Sequence, residues 1–499
     1  MIGFVAPTLD YHALAPEISL VGVICVMLLV DVTLLERGKA LLGSIAGLGL
    51  LGSLIPIISL ALSENTTRVM FDGAYVVDRS SLLLKALFIA SGYVVVLLST
   101  NYMAEGDYWE SEFYTLLVCS ILGMSVMASA RDLISIFVAL ELLSIPAYML
   151  AGWRKADPKS NEAGMKYYLM GVFASAILLY GMSLLYGITG ATKLSAIADA
   201  LGNNSTNSYV ATLAIVFTLV GFGFKVSAVP FHSWAPDTYE GAPTPVTAFL
   251  AVASKAAGFV ALIQVISYGV GGKSDVIAPV VFVLSALSMT VGNLIALRQT
   301  NVVRMLAYSG IAQAGFMLAP FVVAGESKVA GTTVPAIIVY LVLYAATNLG
   351  AFAVVIALAR KTRSAEISSF GGAFGYAPGL TVAMTIFLAS FIGVPPFGAW
   401  YGKFGVMKVL IGAGTGWGYA LAIILAVNTA IAAFYYLNIA KAMWFDPAPD
   451  GDVSPVRIPI SLRTAMFITV VATMVFGILP GILSNAAQAG VAVAQAIGN

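Results

Sequence analysis

The stretch FGFKVSAVPFHSWAPDTYEGAPTPVTAFLAVASKAAG, residues 222–258, sets the architecture of this chain. It starts as an apolar segment, is interrupted at Pro230 and continues through a second apolar run. Proline has no backbone N–H and breaks a helix, so the pattern predicts an interrupted helix in apolar surroundings. The same stretch contains Lys225 and Lys255, and a charge within hydrocarbon costs at least about 2.5–3.5 kcal/mol. We therefore expect these lysines to line a polar path.

The composition of the whole chain indicates a membrane protein. Of 499 residues, 60% are hydrophobic and only 10% are charged, which is too little charge for the surface of a soluble domain. The net charge of +1 argues against a nucleic-acid partner, which would need a basic patch. Cys25 and Cys119 are too few and too far apart to predict an iron–sulfur or zinc site, so no metal is expected.

Apolar windows of about 20 residues predict about fourteen membrane spans. The first apolar run follows no basic segment and precedes no small-residue cleavage site, so it predicts a membrane helix rather than a signal peptide. The connecting segments are too short for a soluble domain. We therefore predict an all-α polytopic protein in which residues 1–499 form a single membrane domain. The predicted spans are 13–36, 40–63, 79–100, 112–130, 132–153, 163–189, 209–233, 242–270, 275–297, 301–323, 333–359, 381–410, 416–445 and 461–485.

The distribution of basic residues predicts the orientation. Most Lys and Arg residues outside the spans lie in loops that follow odd-numbered spans. The positive-inside rule places these loops in the cytoplasm and both termini on the outer side. The acidic turn from Glu105 to Glu112 falls on the cytoplasmic side. Lys85 is close enough to a helix end to extend its amine to the interface.

A second interrupted span suggests an internal repeat. The motif VPFHSW at 229–234 is matched five spans later by VPPFGAW at 394–400. Pro230, Pro395 and Pro396 are the predicted helix breaks, and paired broken helices in two halves are typical of transporters. Five is an odd number of crossings, so the equivalent helices of the two halves run in opposite directions across the membrane. We predict two inverted five-helix repeats at about 112–270 and 275–445, with peripheral helices at both ends; the alternative is chance recurrence of proline.

Four ionisable residues lie deep in predicted spans, far from the interfaces. Glu141 is roughly 12 Å from either end of its helix, too far to reach water easily. We expect it to pair with Lys225, whose proton could then depend on the position of its neighbour. Lys255 and Lys403 have no acid nearby in the sequence. Lysines without a carboxylate partner are good carriers of a labile proton. The four candidates for proton translocation are Glu141, Lys225, Lys255 and Lys403.

Plainer interpretations of these residues remain open. Glu141 and Lys225 could form a static ion pair between helices, and Lys403 could extend to the interface. His232 could relay protons between Lys225 and Lys255, or it could simply cap a loop. The chain contains no phosphate loop, activated nucleophile or dinucleotide motif, so we expect no site for covalent catalysis.

The quoted stretch resembles the signature of the antiporter-like membrane subunits of proton-pumping NADH:quinone oxidoreductase, respiratory complex I. The form TYEGAPTPVT, residues 238–247, is similar to the subunit N (ND2-type) branch rather than to the L and M branches. The segments RQTNVVRMLAYSGIAQAGF, 298–316, and LASFIGVPPFGAWYGKF, 388–404, also resemble that branch. The resemblance covers nearly all of the predicted spans.

The resemblance implies roles for the buried charges. In this family a glutamate on helix five and lysines on helices seven, eight and twelve form a midplane chain of protonatable sites, and these positions match the four residues named above. Gln313 stands where many members have histidine, which puts a histidine relay on helix ten in doubt. The redox chemistry belongs to other subunits in the family.

The resemblance also implies partners and a location. It implies no cofactor in this chain, with flavin, iron–sulfur clusters and quinone in partner subunits, and an inner membrane of a bacterium as the location. The leading hypothesis is a proton-translocating subunit of NADH:quinone oxidoreductase, without a redox site of its own. The alternative is a subunit of a multisubunit cation/proton antiporter. A purely structural scaffold is disfavoured by the buried lysines.

Overall fold

A computed structural model of the protein describes residues 9–63, 67–105, 112–202 and 208–488, without the side chains of 35–40 and 450. The described chain is almost entirely helical, which confirms the predicted fold class. A two-stranded hairpin, β1 (Arg68–Met70) and β2 (Tyr75–Val77), links the first two helices. The α-helices are α1 (Ala15–Leu62), α2 (Arg79–Glu105), α3 (Glu112–Ser129), α4 (Leu133–Ala151), α5 (Pro158–Thr189), α6 (Leu194–Gly202), α7 (Ser208–Lys225), α8 (Trp234–Gly241), α9 (Thr244–Phe249), α10 (Lys255–Val265), α11 (Ser274–Ala296), α12 (Val302–Leu318), α13 (Ala330–Thr362), α14 (Ala373–Tyr376), α15 (Pro378–Ile392), α16 (Ala399–Gly412), α17 (Gly416–Phe445) and α18 (Ile460–Ile478).

Short π-helical and 3-10 turns complete the secondary structure. The π-helical turns are Leu250–Ser254 and Ile266–Val270. The 3-10 turns are Phe71–Gly73, Gly271–Lys273, Ala319–Val323, Ile367–Phe370 and Pro449–Gly451.

The described residues contain twelve helical ranges long and apolar enough to cross a membrane, against fourteen predicted spans. Two predicted spans fall within one continuous range, Thr244–Ala296. Its 53 residues would extend about 80 Å if straight, more than twice the bilayer core. The predicted span 381–410 is divided between α15 and α16, which are too short to be counted singly. The number fourteen is therefore not confirmed.

Helix α1 contains the first two predicted spans and folds back on itself. Its 48 residues exceed the length that one crossing needs. A Cβ on Gly49 would lie 2.5 Å from a methyl group of Val23, so the two halves pack side by side. His12 Nε2 lies 3.1 Å from Ser59 Oγ, which places the two ends together. Gly49 is required at this close approach because a side chain would collide with Val23.

The two predicted helix breaks are confirmed as interruptions of the helical backbone. Helix α7 ends at Lys225, and irregular backbone including Pro230 leads to α8. Helix α15 ends at Ile392, and a turn containing Pro395 and Pro396 leads to α16. The Val229–Pro230 and Pro395–Pro396 peptide bonds are cis. The division into repeats at about 112–270 and 275–445 stays a prediction.

Ion pairs between loops agree with the predicted alternation of sides. Glu105, after span three, pairs with Arg360, after span eleven. Arg304, in the first turn of span ten, lies 2.9 Å from Asp237, after span seven. Loops after even-numbered spans pair with one another as well, as Lys193 does with Asp72. Which side is cytoplasmic stays a prediction, and Asp107 and Glu110 of the acidic turn lie outside the described residues.

The prediction that Lys85 extends to the interface is wrong. Its side chain is 0% exposed, and its Nζ lies 2.9 Å from Glu17 Oε1. The amine also donates a hydrogen bond to the hydroxyl of Tyr75 at 3.3 Å. The β-hairpin and the first turn of α1 cover the start of α2 and bring these partners to the lysine, so it need not reach water.

Candidate functional site: a row of buried lysines

Glu141 lies midway along α4 and is only partly buried. Asp132 caps the N-terminus of this helix, because its side chain accepts hydrogen bonds from the backbone N–H groups of Ile134 and Ser135. The carboxylate accepts a short hydrogen bond of 2.6 Å from the hydroxyl of Ser175 on α5. Glu141 therefore stands at one end of the row, with a neutral partner.

Lys225 does not form the expected direct pair with Glu141. Its amine donates hydrogen bonds to Ser144 Oγ at 2.8 Å and to the Tyr167 hydroxyl at 3.4 Å. Ser144 follows Glu141 by three residues and so occupies the same face of α4. The Ser144 hydroxyl in turn donates to the carbonyl of Leu140 at 2.5 Å. A hydroxyl therefore occupies the position next to the amine where we expected a carboxylate, and the static ion pair is excluded in this conformation.

Tyr167 connects the surroundings of Lys225 with those of Lys255. It is fully buried on α5, and its ring stacks on Trp234 with the centroids 4.4 Å apart. The Ser254 hydroxyl lies beside the Tyr167 hydroxyl, and Ser254 directly precedes Lys255. The nearby Tyr239 hydroxyl is buried and has no hydrogen-bond partner among the described residues. Buried hydroxyls usually find a partner, so this region is suited to an ordered water.

Lys255 lies at the start of α10, immediately after a π-helical turn, and is 2% exposed. Its amine donates to the carbonyl of Gly310 on α12 at 2.8 Å. A Cβ on Gly310 would lie 3.0 Å from that amine and 3.1 Å from the Tyr344 hydroxyl. A side chain at position 310 would therefore crowd both groups, and glycine lets α12 approach them closely.

Gln313 lies one turn further along α12 and connects hydroxyl groups between Lys255 and Lys403. Its Oε1 accepts a hydrogen bond of 2.5 Å from the Tyr340 hydroxyl, and its Nε2 donates to the Tyr436 hydroxyl at 3.3 Å. Tyr436 also bonds Ser309, the neighbour of Gly310. All of these side chains are buried. The amide thus occupies the centre of a continuous polar cluster.

Lys403 is buried as well, so extension to the interface is excluded. It lies on α16 but reaches back across the break to the end of α15, where its amine donates to the carbonyls of Phe391 at 2.8 Å and Ile392 at 3.1 Å. These carbonyls have no partner within their own helix because α15 stops at Gly393. Lys403 therefore satisfies a helix C-terminus, where a cation is favoured.

His232 lies in the irregular segment between α7 and α8, partly buried. Its backbone carbonyl accepts a hydrogen bond from Ala235 at 3.0 Å, whereas its Nδ1 atom is buried without a partner among the described residues. It makes no hydrogen bond to Lys225 or Lys255 in the described structure. The contact with Ala235 favours the loop role, and the relay stays a prediction.

The described residues contain no group of three or more His, Cys, Asp or Glu side chains that could hold a metal ion. Cys25 and Cys119 are both free, on α1 and α3. The assignment of flavin, iron–sulfur clusters and quinone to partner subunits stays a prediction.

The structure adds hydroxyl residues that sequence reasoning missed. Ser144 could have been found, since its spacing from Glu141 places both on one helical face. Tyr436 could not, because it lies 127 residues from its partner Ser309 and only packing brings them together. The residues added are Ser144, Tyr167, Ser175, Ser309, Tyr340, Tyr344 and Tyr436.

Residues 130–429 match the family described as NADH:quinone oxidoreductase/Mrp antiporter, TM. NADH-quinone oxidoreductase subunit N of Heliobacterium modesticaldum is 40% identical over 442 residues, which cover 88% of this chain and 90% of that protein.

Two solved structures extend the comparison to the fold. A chain of respiratory complex I from Thermus thermophilus is 30% identical, with a TM-score of 0.77 over 95% of this chain and 100% of that chain. A chain of the Mrp complex from Dietzia sp. has a TM-score of 0.81 over 97% of both chains, but is 19% identical, so that likeness concerns the fold alone.

Proposed function

The chain belongs to the NADH-quinone oxidoreductase subunit N family, and we propose that it moves protons across the membrane through the row Glu141, Lys225, Lys255 and Lys403. In this proposal quinone reduction in other subunits of the complex drives the movement. The chain acts as a translocase component and carries no redox site of its own.

One observation supports the proposal most strongly, namely the neutral surroundings of the three lysines. The residues are between 2% and 6% exposed. Among the described residues, no carboxylate lies within ion-pairing distance of any of the three amines, which instead donate to hydroxyls or carbonyls. A permanently charged, purely structural lysine in hydrocarbon would be expected to have a counter-ion. Side chains that must gain and lose a proton are better served by neutral partners.

The second support is the continuity of the polar groups between the lysines. Tyr167 and Ser254 lie between Lys225 and Lys255. The Ser309, Tyr436 and Gln313 cluster then leads to Phe391, whose carbonyl also accepts from Lys403. Hydroxyl groups both donate and accept, so they can pass a proton without holding a charge.

Glu141 supports the participation of partner subunits. Its carboxylate is partly exposed on the surface of the isolated chain, at a depth where lipid would penalise it. We propose that a neighbouring membrane subunit of the complex covers this face and exchanges protons with the row. The hydrophilic subunits supply flavin, iron–sulfur clusters and the site of quinone reduction. The protein lies in a bacterial inner membrane with both termini on the outer side.

The decisive experiment measures NADH-driven acidification of inside-out vesicles. We expect Lys255→Ala to lower proton pumping in a complex that still assembles on native gels. Lys408→Ala is the control, because Lys408 is an exposed lysine of α16 outside the row. Normal pumping by Lys255→Ala at normal assembly would reject the proposal.

The cation/proton antiporter alternative keeps one point in its favour, because the matched family description includes Mrp antiporters. Co-purification separates the two functions. We expect flavin and iron–sulfur subunits to purify with this chain. Their absence, together with cation-driven proton exchange in vesicles without NADH, would favour the antiporter.

A further inference from the structure

A second buried polar cluster lies apart from the row of lysines. It consists of Glu17 on α1, Tyr75 on β2 and Lys85 on α2. The Lys85 amine lies 2.9 Å from the Glu17 carboxylate and 3.3 Å from the Tyr75 hydroxyl, and the side chains of Lys85 and Glu17 are 0% and 10% exposed. Burial and the Glu17 carboxylate raise the pKa of Tyr75 well above its ordinary value, so this phenol stays protonated.

Buried polar atoms without partners extend from this cluster towards the row. The Ser129 hydroxyl on α3 lies beside Tyr75 but makes no hydrogen bond of good geometry with any described residue. Ser125, one turn earlier on α3, is also buried, and its hydroxyl has no hydrogen-bond partner in the described part of the chain. Gln264 on α10 donates to the carbonyl of Ala128 at 3.0 Å, while its Oε1 atom has no described partner. Such atoms are usually bonded to ordered water when protein offers no partner.

This series of groups extends from the helix of Lys255 to one side of the membrane. Gln264 lies on the same helix as Lys255, roughly 13 Å along it. Ser129 ends α3, Glu17 is in the first turn of α1, and both lie on the side where the β-hairpin connects α1 to α2. The positive-inside rule predicts this side to be the outer one. The series therefore leads from Gln264, on the helix of Lys255, towards the outer surface.

We propose that Gln264, Ser125, Ser129, Tyr75, Lys85 and Glu17 form a hydrated proton path from Lys255 to the outer side. This inference rests on the proposed function and adds a release route to it. Ser125, Ser129 and Gln264 hold water, and Tyr75 donates one proton as it accepts another. The Lys85 and Glu17 pair exchanges its proton with the outside. Near the path, Asp78 and Arg131 pair with each other at 3.0 Å, and the Asp132 side chain caps the start of α4.

The opposing interpretation is a static clamp that fastens α1 to α2. A clamp explains the ion pair, but it does not explain unpartnered hydroxyls on α3 or the free amide oxygen of Gln264. The two interpretations differ in their response to removal of both charges. Replacement of a buried ion pair by apolar side chains of similar volume is often neutral for stability. A clamp therefore tolerates the exchange, whereas a proton path does not.

The first test uses the double variant Glu17→Met with Lys85→Met, and separately Tyr75→Phe, in the assembled complex. We expect the double variant and the Tyr75→Phe variant each to lower the ratio of protons pumped to NADH oxidised. Tyr114→Phe is the matched control, since Tyr114 is a buried tyrosine on α3 outside the path. Normal ratios in the double variant and in Tyr75→Phe overturn the path. If the double variant does not assemble, Tyr75→Phe alone decides, because it leaves the ion pair in place.

The second test measures access of water to the path. Ser129→Cys is exposed to a membrane-impermeant methanethiosulfonate added to the outer side of intact cells. We expect labelling, and we expect none for Ser99→Cys, a buried serine whose hydroxyl already bonds the Val95 carbonyl at 2.7 Å. The parent chain, with Cys25 and Cys119, gives the background. Equal labelling of both variants, or of neither, overturns the proposal.

The outcomes separate this path from the proposed function. Lys255→Ala is measured in the same membranes. If it lowers pumping while the double variant and Tyr75→Phe do not, the path fails and the row stands. If Lys255→Ala pumps normally at normal assembly, the proposed function fails first, and the labelling result then reports only a hydrated cavity.

Discussion

Lys225 and Lys403 each lie beside a helix break, but their amines have different partners. Lys225 is the last residue of α7 and donates to the side-chain hydroxyls of Ser144 and Tyr167. Lys403 lies in the helix after its break and donates to two backbone carbonyls at the end of α15. A hydroxyl can accept from an ammonium group and donate to a neutral amine, whereas a carbonyl can only accept.

The difference between hydroxyl and carbonyl partners indicates different roles for Lys225 and Lys403. The partners of Lys225 serve both of its protonation states, as expected for a site that exchanges protons repeatedly. The partners of Lys403 favour a cation at a helix C-terminus, and the residue contributes to the fold as well as to the row. Replacement of Lys403 should therefore affect stability and pumping, and replacement of Lys225 mainly pumping.

The largest effect is expected for Lys225→Ala. The variant should assemble, because the Ser144 hydroxyl keeps its bond to Leu140 and no paired carboxylate is left buried. Proton pumping and quinone reductase activity should fall together, since the row is interrupted between Glu141 and Lys255. Vesicle acidification and native gels measure these outcomes. Glu141→Ala should behave in the same way, and wild-type pumping in both variants would contradict the assignment.

The next effect concerns the cluster between Lys255 and Lys403. Gln313→Leu removes the partner of the Tyr340 hydroxyl and one partner of Tyr436, and a buried unpaired polar group costs about 1–3 kcal/mol. We expect reduced pumping and a lower melting temperature of the complex. Gln313→His should retain most pumping, because a neutral imidazole has one donor and one acceptor. Equal pumping by the two variants would show that this position does not conduct.

Part of this site is predictable from the sequence, and part is not. The helix breaks and the buried lysines were predictable from local sequence. A proline lacks the backbone N–H that a continuous helix needs, and a charge in an apolar segment is costly and therefore indicates a function or a partner. The partners of the amines were not, since Tyr167, Gly310 and Phe391 reach them only through packing between helices. The same limit applies to Lys85, because its sequence neighbours do not show that the hairpin and Glu17 cover it.

The smallest effect is expected for Ser144→Ala. It removes the nearest partner of Lys225 but leaves Tyr167, so we expect a partial loss of pumping. Stability should change by about 1 kcal/mol, the typical net value of one hydrogen bond. Ser99→Ala is the control, because it also removes a buried serine that bonds its own helix. If Ser144→Ala pumps as well as Ser99→Ala, Ser144 is only a structural residue.

The most direct test of the row as a proton path is Lys403→Arg compared with Lys403→Ala. Arginine can still donate to the carbonyls of Phe391 and Ile392, but it does not release a proton at accessible pH. We therefore expect Lys403→Arg to assemble with near-normal thermal stability and yet to pump nearly as poorly as Lys403→Ala, measured as vesicle acidification per NADH oxidised. Near-normal pumping by Lys403→Arg would contradict proton release from Lys403 and leave it as a helix cap.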